Sequence, residues 1–272
     1  MKVGFIGAGN MATAIIKGII TAGTTAAEDI IAYDAFRERL EQLSAENGFM
    51  AAPSNEQVIE ESEIVFLAVK PNVIEPVLKP LAKLIDKHRP VIVSIAAGTP
   101  MNSISTHLNN KDTAIVRILP NMNVEIGEGV VAICRNSNVS DSQLECVKSL
   151  LLPLGRVISI DEEMMTTFSS LGGCGTAYTL MFIEALAKAG LKEGLPKAQA
   201  IEIAAQAVAG TAKLLLESKE HPYVLIDRAC SPGGTTICGV KALEDGAFTS
   251  TVMSAVAASS ARDVEIINSK KS

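Results

Sequence analysis

With 272 residues the chain is long enough for one or two domains with a full hydrophobic core. Its 48% hydrophobic content and mean hydropathy of +0.29 are high for a free-standing soluble subunit, and predict apolar surface buried against a second copy. The net charge of -6, with no basic block or interleaved aromatics, argues against nucleic acid, and apolar runs such as Ile64 to Val69 are too short to span a membrane.

Met1 leads straight into strand-like sequence rather than a signal peptide. The five cysteines have no CxxC spacing, so neither a disulfide framework nor a zinc site is expected, and a reduced, cytoplasmic location fits. His88, His107 and His221 lie far apart and read as surface or structural residues.

The first element carries the strongest signal. A strand over Lys2 to Ile6 runs into Gly7-Ala8-Gly9-Asn10-Met11-Ala12 and then into a helix from Met11 to Ala22. Gly7 permits the tight turn, Gly9 keeps side-chain atoms off an approaching pyrophosphate, and Ala12 lets helix and sheet pack closely. The amides of Asn10, Met11 and Ala12, reinforced by the helix dipole, favour an anion with no lysine in the loop. Further strands are predicted at Ile30 to Tyr33, Ile64 to Val69, Val91 to Ile95, Ala114 to Ile118, Val130 to Cys134 and Val157 to Ile160. Helices are predicted at Arg37 to Glu46, Val73 to Ile85, Pro100 to Leu108 and Asp141 to Leu152. This alternation predicts a Rossmann-like, doubly wound parallel α/β sheet, with ligand-binding loops at the carboxyl ends of the strands. Asp34 ends the second strand, where a carboxylate can accept the ribose hydroxyls of NAD and repel the extra phosphate of NADP. Arg37 and Arg39, close behind, can reverse that preference, and the balance leans to NADH.

After Asp161 the strands stop. Alanine-rich, helix-periodic stretches at Thr166 to Ala189, Pro196 to Ser218 and Phe248 to Ile267 have apolar residues on more than one face. The prediction is a Rossmann domain over 1–161 followed by an all-helical dimerisation domain over 162–272. Within it, Ser231-Pro232-Gly233-Gly234-Thr235-Thr236 precedes a helical run and offers amides and hydroxyls suited to a carboxylate, an ordinary Thr helix cap being the lesser alternative. Asp161-Glu162-Glu163 likewise reads as acidic residues at a helix start.

Together, Gly4 to Ala12, Leu67-Ala68-Val69-Lys70-Pro71, Ser94-Ile95-Ala96-Ala97-Gly98, Ile183 to Ala187, Gly194-Leu195-Pro196 and Ser231 to Ile237 resemble the pyrroline-5-carboxylate reductase family over the full chain. The resemblance implies NADPH- or NADH-dependent reduction of 1-pyrroline-5-carboxylate to L-proline, the last step of proline biosynthesis. Dinucleotide contacts are implied at Ile6, Gly7, Ala8, Gly9, Asn10, Met11, Asp34, Asn55, Ala68, Val69, Lys70, Pro71, Ile95, Ala96 and Ala97. Read alone, Asn55 is a helix-start residue and Lys70 a solvated one. For the cyclic imino acid, the resemblance implies Glu162 nearby, Gly234 and Thr235 on the carboxylate, and Thr236 donating toward the imine nitrogen as the catalytic contact. It also implies an intertwined homodimer, in some members assembled further into decamers.

A protonated cyclic imine accepts hydride directly and demands no strong general acid, which suits the lack of a positioned His or Lys. Departures from the family pattern occur at Gly172, Cys174 and Thr176, at Met122 and Asn123, and at Thr166, Ser169 and Thr249. They leave room for a related cyclic imine as substrate, or for a non-catalytic dinucleotide-binding paralogue acting as an oligomeric scaffold or regulator.

Overall fold

The computed structural model describes residues 1–108 and 110–269. Eight strands form one sheet in the order β3-β2-β1-β4-β5-β6-β7-β8. They are β1 (Val3–Ile6), β2 (Ile30–Tyr33), β3 (Met50–Ala51), β4 (Ile64–Leu67), β5 (Val91–Ser94), β6 (Ile115–Pro120), β7 (Gly129–Arg135) and β8 (Gly155–Ser159). The central strands β1, β4 and β5 are buried along their whole length, which is why they read as continuous apolar runs rather than alternating ones. Alternate side chains feed two cores. Val3 and Phe5 face α1 (Asn10–Thr21) and α6 (Asp141–Leu151), whereas Ile6, Val65 and Leu67 face α3 (Asn55–Glu61) and α4 (Ile74–His88). Phe5 and Phe66, partners in the β1–β4 register, stack with ring centroids 4.7 Å apart.

The sheet departs from the expected all-parallel pattern at one place. Strand β7 runs antiparallel to β6, pairing Arg117 with Cys134, while every other neighbouring pair is parallel. Only residues 121–128 connect the two strands, and a parallel return needs a crossover of about a dozen residues or more. Strand β3, two residues long, has no periodicity to read. The expected helix over Pro100 to Leu108 is shorter, α5 (Met101–Ser105). Between β2 and β3 the chain forms α2 (Arg37–Asn47), closed by Gly48 in the left-handed region at φ 78°.

The stretch Thr166 to Ala189 is not one helix. A short α7 (Met165–Phe168) passes into a π-helical turn over Ser169–Gly173, and α8 (Gly175–Lys192) follows. Gly172, Gly173 and Gly175 have poor helix propensity, and the π turn takes up the mismatch. The Phe168 ring lies against Gly172, where an added Cβ would come 3.1 Å from it. Next come α9 (Lys197–Ser218), α10 (Pro222–Ala229), α11 (Thr235–Asp245) and α12 (Phe248–Ser269). Helix α10 was not expected; Pro222 starts it and the His221 side chain accepts the Tyr223 N–H at 3.3 Å. No helix among the described residues is long and apolar enough to cross a membrane.

By compactness the chain divides into 1–173, together with the end of α12 from Arg262, and a helical unit of 174–261. Taken by itself, the helical unit has almost no core. Its buried hydrophobic residues, among those described, are Ala187, Ala200 and Ala204, while Met181 is 73% exposed and Leu180, Ile203, Leu216 and Met253 are also largely uncovered. Helices α8 and α9 meet through small residues, with Ala200 opposite Gly190. Three alanines cannot offset the ordering entropy of helices of 18 and 22 residues. Thermal unfolding should therefore depend on protein concentration, the midpoint rising by roughly 1–3 °C per tenfold increase. A midpoint that does not move over about two decades of concentration, from roughly 1 to 100 μM, would contradict association as the source of stability.

Candidate active site

The loops singled out in the sequence meet along the carboxyl edge of the sheet. Three backbone hydrogen bonds stitch them: Gly7 N–H to Tyr33 O at 2.8 Å, Ala68 N–H to Ile6 O at 2.8 Å, and Ile95 N–H to Leu67 O at 3.3 Å. Strand β1 lies between β2 and β4, where the strand order reverses, so the row of loops is centred on the topological switch point. Gly7 has φ 99°, and a Cβ there would stand 2.6 Å from the Ala68 carbonyl oxygen. Only glycine fits. Gly9 is the extended N-cap of α1, and a Cβ on it would meet nothing within 4 Å. Its carbonyl accepts the first helical bond from Thr13 at 2.9 Å, which leaves the amides of Asn10, Met11 and Ala12 aimed outward from the helix start.

Asp34 follows β2 directly. One carboxylate oxygen accepts the Ala8 N–H at 2.6 Å and the other the Phe36 N–H at 2.9 Å, so the side chain braces the glycine turn against the β2 exit. The two arginines behind it diverge. Arg37 donates to the Ala52 carbonyl and pairs with Glu41 at 3.4 Å, whereas Arg39 reaches Asn10 Oδ1 at 2.8 Å, beside the glycine loop. Ser54 caps α3, accepting the Gln57 N–H at 3.4 Å, and the next residue, Asn55, has a buried side-chain oxygen without a hydrogen-bond partner. A buried, unsatisfied acceptor costs about 1–3 kcal/mol unless a donor arrives, which favours a ligand hydroxyl over a purely helix-starting role. Lys70 is exposed just before the turn Pro71–Val73, and no ion pair engages it among the described residues. In the third loop Ser94 Oγ accepts the Ala96 N–H at 3.3 Å, and Gly98 turns the chain at φ 63°.

Glu162 sits elsewhere in the same unit. Its Oε1 accepts both Arg117 Nη1 at 3.1 Å and the Met101 N–H, the first amide of α5, at 2.7 Å. Arg117, on β6 between Ser94 and Cys134, is only 5% exposed. Burial, and next the charge of Glu162, push the Cys134 thiol up to about 11 against the opposing pull of Arg117, so it stays protonated and unreactive. Arg117 was not anticipated from the sequence. The available signal is a lone charge inside the apolar run Ile115-Val116-Arg117-Ile118-Leu119, since a buried guanidinium demands a partner.

The last cluster belongs to the helical unit. Gly233 has φ 68°, Gly234 is the extended N-cap of α11, and its N–H bonds to Ser231 O at 3.0 Å. Thr235 and Thr236 therefore occupy the first helical turn, exposed, and neither hydroxyl caps the helix. The cap explanation of these threonines falls away, because a glycine holds that position. Exposed amides and two hydroxyls remain to meet an anion.

A groove of about 670 Å³ borders Asn10 and Arg39 and runs along α1 to Ile126 and Pro153, apart from the loops at 68–71 and 95–97. The sheet edge itself fits a dinucleotide: open space above Gly9, free helix-start amides, and the unsatisfied Asn55 oxygen. Gly9→Asp should abolish NAD(P)H binding and leave the protein folded, since a carboxylate would fill that space and repel a pyrophosphate. Calorimetric titration with unchanged affinity in a folded variant would refute the site.

Comparison with known proteins agrees with this geometry. The family profile described as pyrroline-5-carboxylate reductase dimerisation matches residues 162–266, and one described as NADP oxidoreductase, coenzyme F420-dependent, matches residues 2–98. A pyrroline-5-carboxylate reductase from Synechocystis is 38% identical over 98% of each chain. Among solved structures, a pyrroline-5-carboxylate reductase from Coxiella burnetii superposes with a TM-score of 0.93 at 30% identity, covering 97% of both chains. The Plasmodium falciparum pyrroline carboxylate reductase with NADP bound gives 0.84 at 28% identity, again over 97% of both chains. With a nucleotide edge at the carboxyl ends of β1, β2, β4 and β5 and an unfilled helical unit behind it in sequence, the chain belongs to the pyrroline-5-carboxylate reductase family.

Proposed function

We propose that this protein reduces 1-pyrroline-5-carboxylate to L-proline with a nicotinamide dinucleotide, and does so as a self-associated enzyme. The observation that carries the reading is the pair of anion-ready helix starts, one at Gly9 to Ala12 and one at Gly234 to Thr236, in a chain alike over nearly its whole length to reductases of this substrate. We take 1–161 as the cofactor-binding domain and 162–272 as the substrate and dimerisation domain, a division supported by the start of the matching dimerisation profile at residue 162.

The bound dinucleotide supplies the hydride. The amides of Asn10, Met11 and Ala12 would hold its pyrophosphate, and Asn55, Lys70, Ile95, Ala96 and Ala97 would complete its contacts along the sheet edge. On the substrate side, the Gly234 and Thr235 amides orient the carboxylate, and the Thr236 hydroxyl donates toward the imine nitrogen. A ring nitrogen already protonated needs no strong acid from the protein, so a neutral hydroxyl that fixes orientation suffices.

For the choice of cofactor we favour NADH. Asp34 keeps a negative charge where a 2′-phosphate would sit, and Arg37 is tied to Ala52 and Glu41, leaving Arg39 as the available counter-charge. Asp34→Asn keeps an acceptor for the Ala8 amide and removes the charge. The ratio of kcat/KM with NADPH to that with NADH should rise about tenfold, equivalent to ~1.4 kcal/mol of selectivity. A ratio that stays put would hand control to Arg39.

The reductase reading is tested by steady-state assays with 1-pyrroline-5-carboxylate and each cofactor. Thr236→Ala should lower kcat/KM by roughly ten- to a hundredfold, as expected for losing a hydrogen bond to a charged group, and leave NAD(P)H affinity unchanged. Thr236→Ser should restore most of the rate. Wild-type protein that binds dinucleotide and turns over no cyclic imine would identify a scaffold or regulator instead.

A further inference from the structure

Resting on the reductase reading above, we propose that Glu162 is a positioning residue for the cofactor: with Arg117 it clamps the third nucleotide loop, Ile95 to Pro100, rather than touching the imino acid. The loop leaves β5 at Ser94, which is fixed by its ladder partners Leu67 and Arg117 and by its own hydroxyl on the Ala96 amide. It re-enters ordered structure at Met101, whose amide is the first of α5. That amide donates to Glu162 Oε1 at 2.7 Å. The same oxygen accepts Arg117 Nη1 at 3.1 Å, and Arg117 is the in-register neighbour of Ser94. One carboxylate oxygen thus ties the far end of the loop back to the strand beside its near end.

The chemistry of the clamp explains its residue types. A guanidinium buried to 5% exposure is stable only beside a counter-charge, so Arg117 recruits Glu162, and the bond to Arg117 in turn fixes where Glu162 presents its acceptor. The five-residue α5 is too short to hold its own start in place, and an anion at its first amide supplies what the sequence Thr99-Pro100 cannot. Between these anchors Gly98, at φ 63°, is free to turn. Losing the carboxylate releases one end of the loop and leaves Arg117 uncompensated, with no direct effect on the imine.

Three variants of the full-length assembled enzyme test this, read by NADH fluorescence titration, amide hydrogen exchange and steady-state kinetics. Glu162→Ala should raise the Kd for NADH about tenfold, accelerate exchange at the amides of Ala96 and Met101, which Ser94 and Glu162 hold, and change the KM for 1-pyrroline-5-carboxylate by less than about twofold. Glu162→Gln keeps an acceptor oxygen and should recover cofactor affinity to within about threefold of wild type. Arg117→Lys, which keeps the charge and loses the planar fork, should give an intermediate rise in Kd; it carries the comparison if Glu162→Ala does not fold. A rise in the imine KM at unchanged NADH affinity would overturn the proposal and return Glu162 to the substrate, and unchanged exchange at Met101 would overturn it as well. Absence of imine turnover in the wild type would instead refute the reductase reading, while binding and exchange still decide the clamp.

Discussion

The cofactor edge depends on one close passage of backbone, Gly7 under the carbonyl of Ala68. Adjacent parallel strands bring the ends of β1 and β4 together, and the chain leaving β1 has to turn before that carbonyl without any side chain in the way. The turn then delivers Gly9 to the start of α1, with the amides of the next three residues facing open space. Asp34 secures it from the other flank by holding the Ala8 amide. Nothing in this loop carries positive charge; its attraction for phosphate comes from the direction of peptide dipoles, which are fixed once the strands pair.

Side chains take over where backbone cannot reach. The third loop lies two strands from Gly7 and has no long helix behind it, and there the ion pair of buried Arg117 with half-buried Glu162 does the positioning. The difference follows from length: α1 and α4, with 12 and 15 residues, hold their own ends by packing, whereas α5 has 5. The histidines take no part in either cluster, and His221 serves as a helix cap instead. This chemistry is modest in acid–base terms and demanding in geometry, as befits hydride delivery to an imine.

Much of this was legible in the sequence wherever it rested on local pattern. The apolar runs located seven strands to within about two residues, and the central ones most plainly, because strands buried on both faces carry an uninterrupted signal. The glycine loop was legible because its requirement for small residues is local too. What stayed hidden was long-range. The antiparallel β7 follows from the length of its connection rather than from its own residues, and Arg117 finds Glu162 across 45 positions that no periodicity links. Asp34 was read for its charge, yet half of its work is an amide 26 residues away. At Gly234-Thr235-Thr236 both glycine and threonine are acceptable caps, so composition alone could not choose between a capped helix and an exposed one.

The nearly coreless helical unit bears on how the protein is made. Helices α8 and α9 are rich in alanine and form readily by local propensity, so a newly synthesised subunit acquires its helices before it has anything to cover them. In the single chain Met181, Ile203, Leu216 and Met253 face solvent on ordered helices, a surface of the kind that chaperones retain and proteases sample. Association is then the step that sets how much folded protein persists, because it depends on subunit concentration whereas the local formation of these helices does not.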